Sequence, residues 1–308
     1  PGVMGPAQAF VNIMQGCDNF CAYCIVPYVR GRQRSRRPGA VLEECRTLVE
    51  RGAREITLLG QNVNSFGLDS GGEGVSFAEL LRRVAAIPGL ERLRFTTSHP
   101  KDLDPDVIRA FGELENLCPS LHLPLQSGSD AVLRRMGRRY DRAQYLDMVE
   151  QLRAARPGLA LTTDLIVGFP GETDEDFGRT LEMMGLVGFE SSFSFKYSDR
   201  PGVAAARMEP KVSEEVASAR LDHLQNLQNT LTKDCLEKCV GSETVVLIEG
   251  PSRKQDGGEP FWRGRDPAGR TVNVAHGGEA DLSGKMISVR LVEAKKHSLI
   301  GEKAGAPW

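Results

Sequence analysis

Over the first 235 or so residues, the apolar positions alternate between two periods. Short β-prone runs occur at 8–14 (QAFVNIM), 55–60 (EITLLG), 91–97 (ERLRFTT), 120–125 (SLHLPL), 160–169 (ALTTDLIVGF) and 191–198 (SSFSFKYS). Helical patterns lie between them. Val41, Leu42, Cys45, Leu48 and Val49 share one face, ended by Gly52, and Phe77, Leu80, Leu81 and Val84 form a second stripe, ended by Pro88-Gly89. Ser76-x-x-Glu79 opens that stripe and reads as a capping box. Asp104-Pro105 starts a third helix. Asp141-x-x-Gln144 starts another, carrying Tyr145, Met148, Val149 and Leu152, and Thr173 begins one with Phe177, Leu181 and Met184. A long pattern from Ser213 to about Cys239 carries Val216, Leu224, Leu227 and Leu231. Six strands, each followed by helical sequence, imply parallel strands joined by crossovers. The architectures that fit are a partial (β/α)6 barrel, which is the reading adopted, and a doubly wound sheet. In both, the loops after the strands form the functional face.

The tail changes period. ETVVLIEG, PFWRGR, RTVNVA, KMISVRLVEA and HSLIGE read as five short antiparallel strands separated by turn-rich segments. They predict a small closed barrel of the oligonucleotide-binding type. The expected division is a core over 1–239 and a β-barrel over 240–303.

Composition narrows the class. The chain has 308 residues, 40% apolar and 26% charged, enough for a real core. Its 39 basic and 41 acidic side chains give a net charge of −2, which excludes a uniformly basic nucleic-acid coat but not a local patch. No apolar run approaches the roughly 18–20 residues of a membrane span. The start, PGVMGPAQAF, shows neither a leader nor an initiator Met, so the chain reads as a piece of a longer one, working in the cytoplasm.

Seven cysteines, an odd number in a chain too large to need staples, suit a reducing compartment. Cys17, Cys21 and Cys24 crowd into eight positions directly after the first strand. Three thiolates from one loop can hold three irons of a 4Fe–4S cubane and leave the fourth open to an outside ligand. A zinc site would want a second C-x2-C knuckle or a nearby His to complete its tetrad, and neither is visible. Cys235 and Cys239, at i and i+4 on the long helix, read as packing.

The segments GCDNFCAYCIVPYVRG (16–31), LLGQNVNSF (58–66), RFTTSHP (94–100), LHLPLQSGSD (121–130), DLIVGFPGET (164–173) and GPSRK (250–254) resemble, in order, the bacterial tRNA methylthiotransferases of the radical S-adenosylmethionine (SAM) superfamily. The likeness is greatest to the branch that makes 2-methylthio-N(6)-isopentenyladenosine, and the tail is similar to that family's RNA-binding TRAM barrel. The resemblance implies that Cys17, Cys21 and Cys24 ligate a 4Fe–4S cluster whose open iron takes SAM. It implies reductive cleavage of SAM to a 5′-deoxyadenosyl radical, removal of hydrogen from carbon 2 of the modified adenine beside the anticodon, and delivery of a methylthio group there. It implies a tRNA anticodon stem-loop as substrate, a reductant such as flavodoxin or ferredoxin, a monomer, and no membrane. Full-length members carry a preceding domain with three cysteines for a second 4Fe–4S cluster. Sixteen residues precede Cys17 here and none is Cys, so the chain as given is expected to cleave SAM and bind RNA without completing methylthiolation. The alternatives are a sister enzyme acting on threonylcarbamoyl-adenosine in tRNA or on a ribosomal-protein aspartate, and a non-catalytic RNA-binding module with a structural cluster.

Other polar residues follow the strands. Gln61, Asn62, Ser98, Gln126, Ser127, Asp164, Glu172 and Arg200, with Gly168 and Gly171, suit either a SAM site or ordinary capping. Arg30, Arg32, Arg34, Arg36 and Arg37 suit an RNA backbone or a solvated face neutralised by Glu43 and Glu44. Arg253, Lys254, Phe261, Trp262 and Arg263 combine cations with aromatic surface, as RNA-binding barrels do, although either aromatic also suits the barrel core. His99 and His122 have no visible partner and read as structural.

Overall fold

The computed structural model describes residues 7–252, 261–275 and 281–308. The strands of the first part are β1 (Gln8–Asn12), β2 (Met14–Gln15), β3 (Arg34–Ser35), β4 (Glu55–Leu59), β5 (Arg92–Thr96), β6 (Ser120–His122), β7 (Ala160–Val167) and β8 (Ser191–Lys196). β1, β4 and β5 form one parallel sheet, and β6, β7 and β8 another. A parallel bridge at Leu93 and Leu117 joins them. Neighbours in space are thus neighbours in sequence, with no reversal of order, which is the topology of a partial barrel and not of a doubly wound sheet. The two-residue strands β2 and β3 pair antiparallel as a separate ribbon.

The helices are α1 (Val26–Arg30), α2 (Pro38–Glu50), α3 (Phe77–Ala85), α4 (Pro105–Glu113), α5 (Asp130–Arg135), α6 (Arg142–Ala155), α7 (Asp174–Val187) and α8 (Glu214–Glu237). Full capping boxes start α6 (Asp141 with Gln144) and α7 (Thr173 with Asp176). The box expected at α3 is only half made. Ser76 accepts the Glu79 N–H, but the Glu79 carboxylate turns to Arg83 one helical turn on, at 2.8 Å. The apolar faces of α2 and α3, including Val41, Leu48, Leu80 and Val84, pack on the outer face of the sheet in one continuous core. Each such side chain contributes roughly 1.5–3 kcal/mol by leaving water.

The tail strands are β9 (Glu243–Pro251), β10 (Phe261–Arg265), β11 (Thr271–Ala275), β12 (Met286–Ala294) and β13 (Leu299–Lys303). They close a barrel in the order β9-β10-β11-β13-β12. The all-antiparallel expectation needs one correction: β11 and β13 run parallel, because β13 inserts between β11 and β12 to close the ring. Val246, Ile248, Val272, Val274, Ile287 and Leu299 fill it, and Leu236 brings the end of α8 against the same core.

This barrel docks on the beginnings of the parallel strands. Arg92, at the start of β5, donates to the carbonyls of Arg265 (2.9 Å) and Val245 (2.6 Å), and Arg94 donates to that of Asp266 (2.9 Å). Glu55, at the start of β4, lies 3.1 Å from the Arg94 guanidinium and 3.7 Å from that of Arg92. Ala7 packs with Leu247 and Met286 beside this cluster. Removing one member of a buried charge group strands the others, so Glu55→Gln is expected to cost about 3 kcal/mol. Urea unfolding of the variant against the parent chain checks this.

Candidate active site

At the opposite ends of the same strands, one loop is held rigidly by its backbone. The chain leaves β2 through Gly16, whose φ is 78° and where a Cβ would stand 2.2 Å from the Arg32 carbonyl oxygen. No larger residue fits there. The Gly16 N–H is held by Gln61 Oε1 at 2.7 Å. The Ala22 N–H donates to the Met136 carbonyl, and the Ala22 carbonyl accepts from Ala205, both at 2.8 Å. The Cys24 N–H donates to the Cys21 carbonyl at 2.9 Å, making a tight turn, and Asn19 Nδ2 reaches Asp102 at 3.0 Å.

This loop delivers Cys17, Cys21 and Cys24 to the wall of one cavity of about 430 Å3. Cys21 is buried and the other two are half-buried. Burial pushes the Cys17 and Cys24 thiols above their ordinary value, which does not suit a lone cysteine nucleophile. A single zinc ion needs its donors about 2.0–2.3 Å from one point. Among the described residues, no three or more His, Cys, Asp or Glu side chains converge in that way. The three thiols line one cavity, and a multi-iron cluster, in which each thiolate takes its own iron, does not need them to meet at one point. Thr97 Oγ1 and Ser98 Oγ, on the same wall, are buried without a hydrogen-bond partner. A second lobe of about 300 Å3 shares Tyr23, Cys24, Gln126 and Asp164 with the first.

The structure sorts the expected site residues. Gln61, Ser98, Gln126 and Asp164 line the cavity, and Arg200 lines the second lobe. Gln126 has φ 70°, and its backbone bonds to both the Asp164 carbonyl and the Ile166 N–H. Three others turn away to internal partners. Asn62 Nδ2 binds Asp102 at 2.7 Å. The buried Ser127 hydroxyl accepts the Ser129 N–H and faces Thr180. Glu172 accepts the Gly168 N–H at 3.0 Å and pairs with Arg220 at 2.7 Å.

Of the arginine run, Arg32 pairs with Asp18, Arg36 with Glu44 and Arg37 with Glu73. Arg30 and Arg34 are exposed, with no ion pair among the described residues. Trp262 is half-buried against the small barrel's core, and Arg263 pairs with Glu249 at 2.8 Å. Arg253 and Lys254 lie outside the described residues. Cys239 also packs on that core, its thiol donating to the Cys235 carbonyl.

Sequence reading missed three groups. His99 faces Cys21 Sγ at 3.9 Å. Its Nδ1 accepts the Lys101 N–H at 3.2 Å, so Nε2 carries the proton. Burial, with Arg138 and Lys101 nearby, pushes its pKa down to about 2, so the ring is neutral. Arg138 is buried and donates to Cys21 Sγ at 3.5 Å. His122, on β6, binds Thr162 Oγ1 at 2.9 Å and stands 3.4 Å from Asp164, on the inner face of the sheet.

Comparison with known proteins decides the family. The Radical SAM superfamily model matches residues 11–184. A relative from Nitratidesulfovibrio vulgaris, "tRNA-2-methylthio-N(6)-dimethylallyladenosine synthase", is 61% identical over 303 residues, covering 98% of this chain and 68% of that protein. The chain belongs to this family of radical SAM enzymes. A second relative of the same name, from Oleidesulfovibrio alaskensis, is 57% identical over 97% of this chain and 68% of its own length. Two solved structures share the radical SAM fold at low identity. Coproporphyrinogen III oxidase (HemN) from Escherichia coli has TM-score 0.52, 12% identity, and coverage of 96% and 71%. The radical SAM methyltransferase TsrM from Kitasatospora setae, with cobalamin and a [4Fe-4S] cluster bound, has TM-score 0.53, 17% identity, and coverage of 66% and 36%.

Two predictions follow from how this radical SAM site is held. Gly16→Ala forces a left-handed backbone and a clash with a carbonyl, and it is expected to cost at least about 1–2 kcal/mol. It should also lower the iron retained per chain, read by metal analysis. The second concerns Asp176, which accepts from the Ser129 hydroxyl and from both the Thr173 N–H and hydroxyl, tying the start of α7 to that of α5. Burial pushes its carboxyl up, but these bonds outweigh it and hold the carboxyl below its ordinary value. A depressed folded-state pKa stabilises the fold above the unfolded value and loses that contribution as pH falls through the folded one. Asp176→Asn should therefore be less stable than the parent chain at neutral pH and approach it as pH falls below the ordinary carboxylate range, in denaturant midpoints taken across that window.

Proposed function

We propose that this chain carries the SAM-cleaving and RNA-binding part of a tRNA methylthiotransferase acting on carbon 2 of N(6)-isopentenyladenosine beside the anticodon. The observation that carries the reading is the convergence of Cys17, Cys21 and Cys24 on one cavity with amide, hydroxyl and carboxylate walls. It stands in a chain 61% identical to a relative bearing that activity's name.

The donor set suits a 4Fe–4S cluster: three soft sulfurs from one fixed loop, with the rest of the cavity left to SAM. Cys17, Cys21 and Cys24 would hold the cluster, and Ser98, Gln126, Asp164 and Arg200 are the proposed contacts to SAM. Bound together, these cofactors supply one-electron cleavage of a sulfonium, and with it a carbon radical able to take hydrogen from a C–H bond. The chain's own task is placement. Its backbone ties fix the sulfurs, and the cavity walls offer the polar groups that would orient SAM against them.

The substrate side has a matching surface. Phe193 and Phe195 on β8 are 62% and 55% exposed and stand in register with Asp164 and Ile166 on β7. An adenine bearing an isoprenoid group would meet apolar side chains and a carboxylate on one face. The tail barrel is read as an RNA-binding barrel of the oligonucleotide-binding, TRAM type. Its strand order, with the fifth strand between the third and fourth, supports this. Arg30 and Arg34, exposed near the cysteine loop, suit phosphate contacts. A one-electron carrier of the flavodoxin or ferredoxin type is the proposed reductant.

Anaerobic reconstitution should give a brown protein with about four irons per chain, and Cys→Ala at each of the three positions should abolish it. Reduction in the presence of SAM should release 5′-deoxyadenosine. An isopentenylated anticodon stem-loop should bind more tightly than the unmodified one. A colourless protein holding one tight zinc would overturn the reading.

A further inference from the structure

We infer that Arg138, seconded by His99, raises the reduction potential of the cluster proposed at Cys17, Cys21 and Cys24 by placing positive charge and N–H donors on the Cys21 sulfur. The inference rests on the cluster assignment above and goes beyond it, because neither side chain is a ligand.

Arg138 is 7% exposed. Its Nε donates to the Tyr140 hydroxyl (2.9 Å), its Nη2 to the Pro124 carbonyl (2.8 Å) and its Nη1 to Cys21 Sγ (3.5 Å). The Tyr140 ring lies 5.2 Å from the guanidinium carbon, and the Tyr140 hydroxyl donates to the Leu125 carbonyl at 2.8 Å. Two neutral oxygens thus hold the fork so that its remaining arm points at sulfur.

No carboxylate pairs with Arg138 among the described residues, and a guanidinium does not give up its proton. Buried cations are kept where something negative faces them. Of the groups it hydrogen-bonds, the Pro124 carbonyl is neutral and burial disfavours ionisation of the Tyr140 phenol, so the one that can carry negative charge as a cluster ligand is the Cys21 sulfur, the most buried of the three thiols. His99 approaches the same sulfur with its protonated Nε2. The two donors come from separate parts of the chain, one after β5 and one after α5.

The sign follows from charge. One-electron reduction adds a negative charge to the cluster and leaves its ligands in place. A fixed buried cation and N–H···S bonds favour the more negative form, with little solvent between to weaken them. Loss of Arg138 should therefore make the same electron harder to add.

The test is the midpoint potential of the anaerobically reconstituted full chain without SAM, followed by electron paramagnetic resonance during reductive titration. Arg138→Gln should lower the reduced-to-oxidised ratio at a given potential at least tenfold, a shift of about 59 mV for one electron. His99→Asn keeps an acceptor for the Lys101 N–H but cannot reach the sulfur, and it should shift the potential less, in the same direction. Tyr140→Phe keeps the guanidinium charge but removes one of the two oxygens that aim it, so it should shift the potential less than Arg138→Gln, in the same direction. Arg138→Gln with full iron content and an unchanged potential overturns the inference, as does a shift seen only when SAM is present. If Arg138→Gln retains no cluster, His99→Asn decides: a lowered potential supports the inference and an unchanged one overturns it. A parent chain that forms no cluster refutes the cluster assignment itself.

Discussion

The site depends on a backbone constraint. Three sulfurs can share one cavity only if the loop carrying them cannot relax. That rigidity comes from the close approach of Gly16 to the Arg32 carbonyl, the Gln61 amide on the Gly16 N–H, and the two backbone bonds at Ala22. Each anchor comes from a different segment, so the loop's shape is set by the assembled fold and not by its own sequence. A flexible trio of thiols would lose entropy on meeting a cluster, whereas this one has already lost it in folding.

Charge is handled differently at the two ends of the parallel sheet. At the strand starts, Glu55 sits among Arg92 and Arg94, and the arginines spend their remaining donors on carbonyls of the small barrel. There the positive groups have a carboxylate. Around the thiols, Arg138 has only neutral oxygens and sulfur. The first arrangement is complete as protein. The second makes electrostatic sense when something anionic is bound at the sulfurs.

Much of this was legible in the sequence. All six parallel strands and the five tail strands lie where period-2 runs occur, because half-buried sheet faces leave that imprint directly. The short helices α1 and α5 are too brief to show a periodic face, and the sequence does not mark them as elements. The parallel pairing of β11 with β13 was hidden, since alternation looks the same whichever way a strand runs. Within the site, the cysteines converge, whereas Asn62, Ser127 and Glu172 turn inward. A polar residue after a strand serves a cap or a cavity equally well, and its type does not say which. Arg138 was obscured by its surroundings: in the run RRMGRR it looks like one more solvated charge.

The small barrel is fastened at the strand beginnings and the sulfurs stand at the strand ends, so the two are separated by the height of the sheet. Its strands run from three residues in β6 to eight in β7, and at about 3.3 Å per residue that is roughly 10–26 Å. On the RNA-binding role proposed for the barrel, a free nucleoside would reach one end of the sheet only, whereas a folded stem with its loop is long enough to reach both.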